Sequence, residues 1–268
     1  MTRQINYKSP MSVSNSVELV NAIKSTNLSS NNEHILVSFD IVNLYTNVPV
    51  IESLNLLRDY LNNCSLIDNF DTTPEDIHTL MNLIELITEQ NFFTFDGDVY
   101  TMTDGLAMGS PLSGLLANIF VDHLESLIRI HFLFQKIVLW KRYVDDIFCV
   151  WCGTVQELKS FLEFINSLSK IKFTLEISEE NTINFLDLNI TLKPDNTFEF
   201  NIYRKPTQTD IVIPKYFYHS PQIKKTAFHF LLNRQVNIPL SKVNYQRELD
   251  NICKVATENH YLYKTICL

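Results

Sequence analysis

The sequence predicts an α+β fold whose element order resembles a split βαβ core. Three observations predict it. β-prone runs occur at 34–42, 137–151 and 171–203, with helical segments interposed between them. Those helical segments space their apolar residues so that each has one face to bury. The chain of 268 residues is 46% apolar and 19% charged, a globular composition with length enough for one large domain or two modest ones.

Taken in order, residues 1–34 are polar, rich in Ser and Asn, with one weak helical stretch at 16–24. "HILVSFDIV" (34–42) reads as a strand with Asp40 near its end. "IESLNLLRDYLNN" (51–63) has apolar residues at 51, 54, 57 and 61, and "EDIHTLMNLIELITEQ" (75–90) has them at 77, 80, 81, 84 and 87; both are helical spacings, separated by the breaker "DNFDTTP" (68–74). "FFTFDGDVYTM" (92–102) alternates around Asp96-Gly97, a hairpin signal. "DGLAMGSPLSG" (104–114) holds three of the five glycines and leads into the apolar helix "LLANIFVDHLESLI". "KIVLW" and "RYVDDIFCVW" read as two strands joined at or near the Asp pair, followed by a helix at 155–168 and strands at 171–177, 183–192 and 197–203.

Charge is unevenly distributed. Residues 1–150 carry 8 Lys and Arg against 18 Asp and Glu, whereas 201–254 carry 9 against 3, interleaved with Tyr203, Tyr216, Phe217, Tyr218, Phe228 and Tyr245. An acidic half beside a basic, aromatic-rich tail suits a metal site next to a surface that binds a polyanion, although a solvated charged helix would give the same tail. No apolar run approaches the ~18 residues that span a bilayer, so no membrane partner is expected. The N-terminus lacks the apolar core of a signal peptide. Five scattered cysteines suggest reduced thiols and an intracellular protein, and the lone C-x-x-C of Cys149 and Cys152 lacks the further ligands of a zinc site.

The chemistry centres on "RYVDDIF" (142–148). Strands deplete Asp, yet Asp145 and Asp146 sit inside a β-prone run. Two adjacent carboxylates at a hairpin tip repel each other unless a proton or a cation intervenes. Mg²⁺ is the natural cation, because it takes oxygen ligands and is held by one or two carboxylates plus substrate phosphates. Asp40 is the obvious third donor. Plain structural readings also exist: a solvated turn for the pair, a helix cap for Asp40, a tight turn for Gly109-Ser110-Pro111 and a core ring for Tyr45.

"SFDIVNLYTNVP", "GLAMGSPLSGLLANIF" and "RYVDDIF" resemble, in order, the three central palm motifs of reverse transcriptases. "FTLEISEENTINFLDLNI", "YRKPTQTD", "YHSPQIKKTAFHFLLNR" and a closing helix ending in "ENHYLYKTI" resemble the Penelope-like branch of that family. The resemblance implies a right-hand polymerase palm, an antiparallel sheet with helices on one face. It implies that Asp40, Asp145 and Asp146, with the Ile41 carbonyl, hold two Mg²⁺ or Mn²⁺ ions. The backbone of Asn43, Leu44 and Tyr45 would meet the incoming dNTP, the Tyr45 ring would exclude a ribose 2′-hydroxyl, and Gly109, Ser110 and Pro111 would lie against template and nucleotide. "INFLDL" would grip the primer end. Arg204, Lys205, Lys224, Lys225 and Arg234 would follow the nucleic-acid backbone as part of a thumb.

The implied layout is a residual fingers segment at 1–34, a palm at 35–202 with fingers-side helices near 51–90, and a mostly helical, thumb-like basic region at 203–268. The implied activity is RNA-directed DNA synthesis in the nucleus, on an RNA template with a DNA primer. The alternatives are a catalytically inactive nucleic-acid-binding remnant and, further off, a metal-dependent nuclease using the same carboxylates. Three positions depart from the family pattern: Gly105 where many relatives have Gln, Asn181 where related enzymes have Lys, and Gly114 where the branch has Pro. Lys170 and Lys172 are the nearest substitutes for the missing Lys.

Overall fold

The computed structural model describes residues 7–28, 33–63 and 73–262. Most of the breaker at 68–74 and the end of the closing run at 263–266 lie outside the described residues. α1 is Ser16–Lys24, β1 Ile35–Ile41, α2 Leu44–Asn47, α3 Val50–Asn63 and α4 Pro74–Glu89. β2 (Phe92–Phe95) and β3 (Asp98–Thr101) form the hairpin expected at Asp96-Gly97, whose φ values of 51° and 87° are those a two-residue turn of this hand requires. α5 is Ser113–Arg129, β4 Ile137–Tyr143, β5 Asp146–Trp151, α6 Val155–Ser167 and β6 Phe173–Ile177. β7 (Thr182–Phe185), β8 (Leu188–Leu192), β9 (Phe198–Ile202), α7 (Pro221–Asn237) and α8 (Lys242–Glu258) follow. No helix among the described residues is long and apolar enough to cross a membrane.

The chain divides into two compact units, one from Met1–Ser12 and Ser38–Glu176, the other from Val13–Val37 and Ile177–Leu268. One division falls inside β1 and another at the end of β6.

In the first unit the sheet order is β4-β5-β1-β6, so β1 is an interior strand. β4 and β5 pair antiparallel up to Tyr143↔Asp146, which leaves Val144 and Asp145 as the turn. Asp146 thus begins a strand and is not at the tip. Phe161 of α6 meets Phe39, Trp140 and Trp151 at ring distances of 6.4, 6.5 and 5.6 Å, so one aromatic cluster joins this helix to β1, β4 and β5. The Thr154 capping box starts α6: its hydroxyl accepts from the Glu157 amide while the Glu157 carboxylate accepts from Thr154.

Beneath the β4–β5 hairpin lies a buried charge. Arg142 is fully buried, its Nε donates to Glu125 Oε1 at 3.0 Å and a second nitrogen donates to Glu125 Oε2 at 3.3 Å. Trp140 donates to the same carboxylate at 2.9 Å, and the remaining guanidinium nitrogen donates to Asn118 at 2.9 Å and to the Val144 carbonyl at 3.3 Å. A guanidinium out of water is tolerated only when its donors are satisfied in this way.

In the second unit β7-β8-β9 form an antiparallel sheet. The run 183–192, expected as one strand, is a hairpin turned at Leu186–Asp187. Leu186 adopts φ +54°, and no Gly or Asn marks the turn. Its stability comes from other segments: Ser16 and the Tyr203 amide both donate to Asp187, the latter at 2.8 Å. α7 and α8 enclose Phe228, Leu231, Ile252, Val255 and Ala256, with Tyr261 closing the cluster.

Removing one partner of the Arg142–Glu125 pair is expected to cost about 3–5 kcal/mol, since the other charge stays buried alone. Urea unfolding of Arg142→Met should show that loss. Arg142→Met combined with Glu125→Leu should recover part of it, and two additive losses would mean the pair is not coupled.

Candidate active site

The residues singled out from the sequence between 40 and 146 all lie in the first unit. β1 alternates, with Phe39 and Ile41 buried and Asp40 exposed between them, so the strand packs one face and presents the carboxylate on the other. The Ile41 amide donates to the Asp145 carbonyl at 3.0 Å. That bond places the β4–β5 turn against the end of β1. The proximity is visible electrostatically: Asp40 holds its proton more tightly than an ordinary carboxyl, first because of desolvation and then because of the Asp145 charge.

Among the described residues no group of three or more His, Cys, Asp and Glu side chains stands ready to hold a metal ion. Asp40 and Asp145 come together; Asp146 starts β5 opposite Tyr143, half-buried, with interactions of its own. A pair of hard oxygen donors that repel each other still fits Mg²⁺, which keeps waters and substrate oxygens for the rest of its shell.

Asn43 enters the left-handed region (φ +48°) to turn the chain from β1 into α2, and Asn47 donates back to the carbonyls of Val42 and Asn43 at 3.1 Å. Leu44 is buried, and Tyr45 is half-buried. The Leu106 amide donates to the Tyr45 carbonyl at 2.7 Å, so α2 and the loop bearing Gly109-Ser110-Pro111 are joined directly. Gly105 explains its own departure from the family pattern. A Cβ there would lie 2.4 Å from the Thr46 carbonyl oxygen, and φ is +84°, so glutamine has no room while α2 stays in place. Gly109 (φ +97°) has open space around it, and Pro111 stands two residues ahead of α5, not at its first position. Ser113 donates to the Ala107 carbonyl at 2.7 Å and closes the loop, a contact the sequence motif did not reveal.

Other expected residues are placed differently. Lys170 pairs with Asp104, and Lys172 donates to the Ser169 carbonyl at 3.1 Å. In the second unit, Asn181 (φ +59°) and Glu180 (φ +48°) form a tight turn between the bridged residues Glu179 and Thr182. Asn tolerates that conformation better than Lys, which accounts for the substitution locally. Arg234, with a side chain only 9% exposed, faces Asp187 at 3.6 Å and Glu248 at 3.5 Å. Arg204 makes a two-pronged contact with the same Glu248. The single five-cation face expected from the sequence is therefore corrected. These two guanidiniums neutralise carboxylates within the unit, while Lys205 is exposed and Lys224 and Lys225 are half-buried.

A family model described as reverse transcriptase (RNA-dependent DNA polymerase) matches residues 2–231. No curated protein matches the chain. Among solved structures, the telomerase of Candida albicans in complex with a fragment of telomeric RNA aligns with a TM-score of 0.61 at 13% identity, over 96% of this chain and 44% of that one. The apo telomerase of Candida tropicalis aligns with a TM-score of 0.51 at 16% identity, over 96% and 46%. An RNA-dependent RNA polymerase of a human picobirnavirus, with an insertion loop deleted, aligns with a TM-score of 0.53 at 10% identity, over 90% and 46%. The fold is that of a polymerase palm, α+β with antiparallel sheets, and the chain spans less than half the length of these structures.

A carboxyl that binds its proton more tightly when folded adds stability at low pH and loses it as pH rises through the raised value. Without metal at neutral pH, Asp40→Asn is therefore expected to raise the thermal midpoint. The gain should vanish below the ordinary carboxyl value of 3.8. Midpoints of the variant and wild type that stay equal at both pH values would show that neither desolvation nor the Asp145 charge raises the proton affinity of Asp40.

Proposed function

As the chain belongs to the reverse transcriptase (RNA-dependent DNA polymerase) family, we propose that it is an RNA-directed DNA polymerase of the Penelope-like branch, extending a DNA primer on an RNA template. The observation that carries the reading is the bond from the Ile41 amide to the Asp145 carbonyl, together with the Asp145 charge that reaches the Asp40 carboxyl. The palm fold and the motif order support it, and the branch rests on the motifs from 173 to 234.

Mg²⁺ or Mn²⁺, two ions in this family's chemistry, would be held by Asp40, Asp145 and Asp146 with the Ile41 carbonyl, and would activate the primer 3′-hydroxyl and stabilise charge on the α-phosphate. The chain's own residues do the positioning. Backbone groups of Asn43, Leu44 and Tyr45 meet the triphosphate, and the Tyr45 ring fills the space of a ribose 2′-hydroxyl. Gly109, without a Cβ, lets the Gly109-Ser110-Pro111 backbone approach the base pair closely. Lys205, Lys224 and Lys225 supply phosphate contacts.

Primer extension on poly(rA)/oligo(dT) with Mg²⁺ or Mn²⁺ tests the reading. The wild-type chain should extend, and Asp145→Asn should abolish extension while leaving the urea midpoint near that of the wild type. Wild-type chain that binds primer–template yet never extends it would instead fit a nucleic-acid-binding fold without turnover. Tyr45→Ala should admit ribonucleotides while dNTP incorporation stays measurable, and unchanged sugar discrimination would return Tyr45 to the core.

A further inference from the structure

Within the second unit, residues 210–219 ("DIVIPKYFYH") form neither helix nor strand, yet their backbone is tightly tied. Asn259, only 6% exposed, accepts from the Val212 amide at 3.1 Å through its side chain and from the Lys215 amide at 3.1 Å through its carbonyl. Its Nδ2 donates to the Asp210 carbonyl at 2.7 Å. The buried Tyr261 hydroxyl donates to the Ile213 carbonyl at 2.6 Å, and Lys224 Nζ donates to the Lys215 carbonyl at 2.7 Å. A segment without its own ladder is thus held to the end of α8 by two buried side chains and to α7 by a lysine.

What this strap presents is aromatic and uncovered. Tyr216, Phe217 and Tyr218 are 67%, 49% and 107% exposed. Their neighbours extend them into a row: His260 to Tyr216 at 5.4 Å, Tyr216 to Phe217 at 5.4 Å, and Phe217 to His219 at 6.3 Å with the rings within 24° of parallel. Leaving such rings in water gives the fold nothing, and fixing their backbone forfeits the freedom to hide them. The charge of this region is mostly positive: residues 210–260 contain seven Lys and Arg against Asp210, Glu248, Asp250 and Glu258, and Lys254 pairs with both Asp210 and Glu258. Within 211–247, Arg234 is the cation that pairs with carboxylates among the described residues, to Asp187 and Glu248.

We propose that the row His260–Tyr216–Phe217–His219, with Tyr218 beside it, is a stacking platform for unpaired bases of a single-stranded nucleic acid. Flat faces and a regular negative charge are what this surface matches, and a single strand supplies both at each nucleotide. A duplex offers only its phosphates here, because its bases already stack on one another. An apolar protein face would leave the lysines unmatched. The site needs no catalysis and shares with the polymerase reading only the class of partner.

The experiment is fluorescence anisotropy with the full chain and three labelled probes: oligo(dT), an abasic oligomer of equal length, and a blunt duplex. Oligo(dT) should bind more tightly than the abasic oligomer. Tyr216→Ala with Tyr218→Ala should weaken oligo(dT) about five-fold or more per stacked base, while abasic and duplex affinities hold and the urea midpoint is unchanged. Tyr216→Trp should keep oligo(dT) binding. Binding is read without divalent metal or dNTP, so that failure of polymerase chemistry leaves this result standing. Equal affinity for oligo(dT) and the abasic oligomer overturns the proposal, as does an alanine variant that loses all three probes alike or none.

Discussion

The hydrogen bond from the Ile41 amide to the Asp145 carbonyl, 3.0 Å long, decides where the acidic turn sits. It fastens the end of an interior strand to the turn of the neighbouring hairpin, so two carboxylates 105 positions apart in the chain become neighbours. Without it, Asp40 would be a solvated strand residue and Asp145 a solvated turn residue. The second fastening comes from beneath, where the buried Arg142 guanidinium donates to the Val144 carbonyl and is itself gripped by Glu125.

These two fastenings work against strain. Val144 sits at φ +57°, a region that β-branched side chains avoid. Such a conformation costs of the order of 1–3 kcal/mol. A hydrogen bond from a charged donor contributes about 1.5–3 kcal/mol, so the guanidinium alone roughly offsets it, and the β1 contact adds to the margin. Strain therefore persists because the surroundings over-determine the turn. The second unit repeats the device at Leu186–Asp187, where an apolar residue at φ +54° is followed by an Asp that collects hydrogen bonds from distant segments.

The sequence revealed elements better than it revealed their turns. Helical spacing at 51–63 and 75–90 and the Asp-Gly hairpin were legible because each depends on neighbours in the chain. Leu186 was not, since its conformation is held by Ser16 and Tyr203, which periodicity does not connect to it. The motifs singled out Asp40, Asp145, Asp146, Tyr45 and the Gly109 turn, whereas the placing of Asp145 in the turn and Asp146 at the start of β5 depends on the hairpin register. The internal pairing of Arg204 and Arg234 depends on where Glu248 lands. Charge counting showed the tail to be basic; it gave no sign of which cations are already matched. The strap at 210–219 was invisible for the same reason, because Asn259 and Tyr261 hold it from outside.

The central claim is that Asp40 and the Asp145 turn form one divalent-metal locus, and metal-directed cleavage addresses it without requiring turnover. Fe²⁺ bound in place of Mg²⁺, with ascorbate and peroxide, releases hydroxyl radicals that cut nearby backbone. The account predicts cuts near residues 40–41 and 144–146 together, suppressed by excess Mg²⁺ and lost in Asp145→Asn. Cuts confined to one of the two segments, or scattered and insensitive to Mg²⁺, would contradict it.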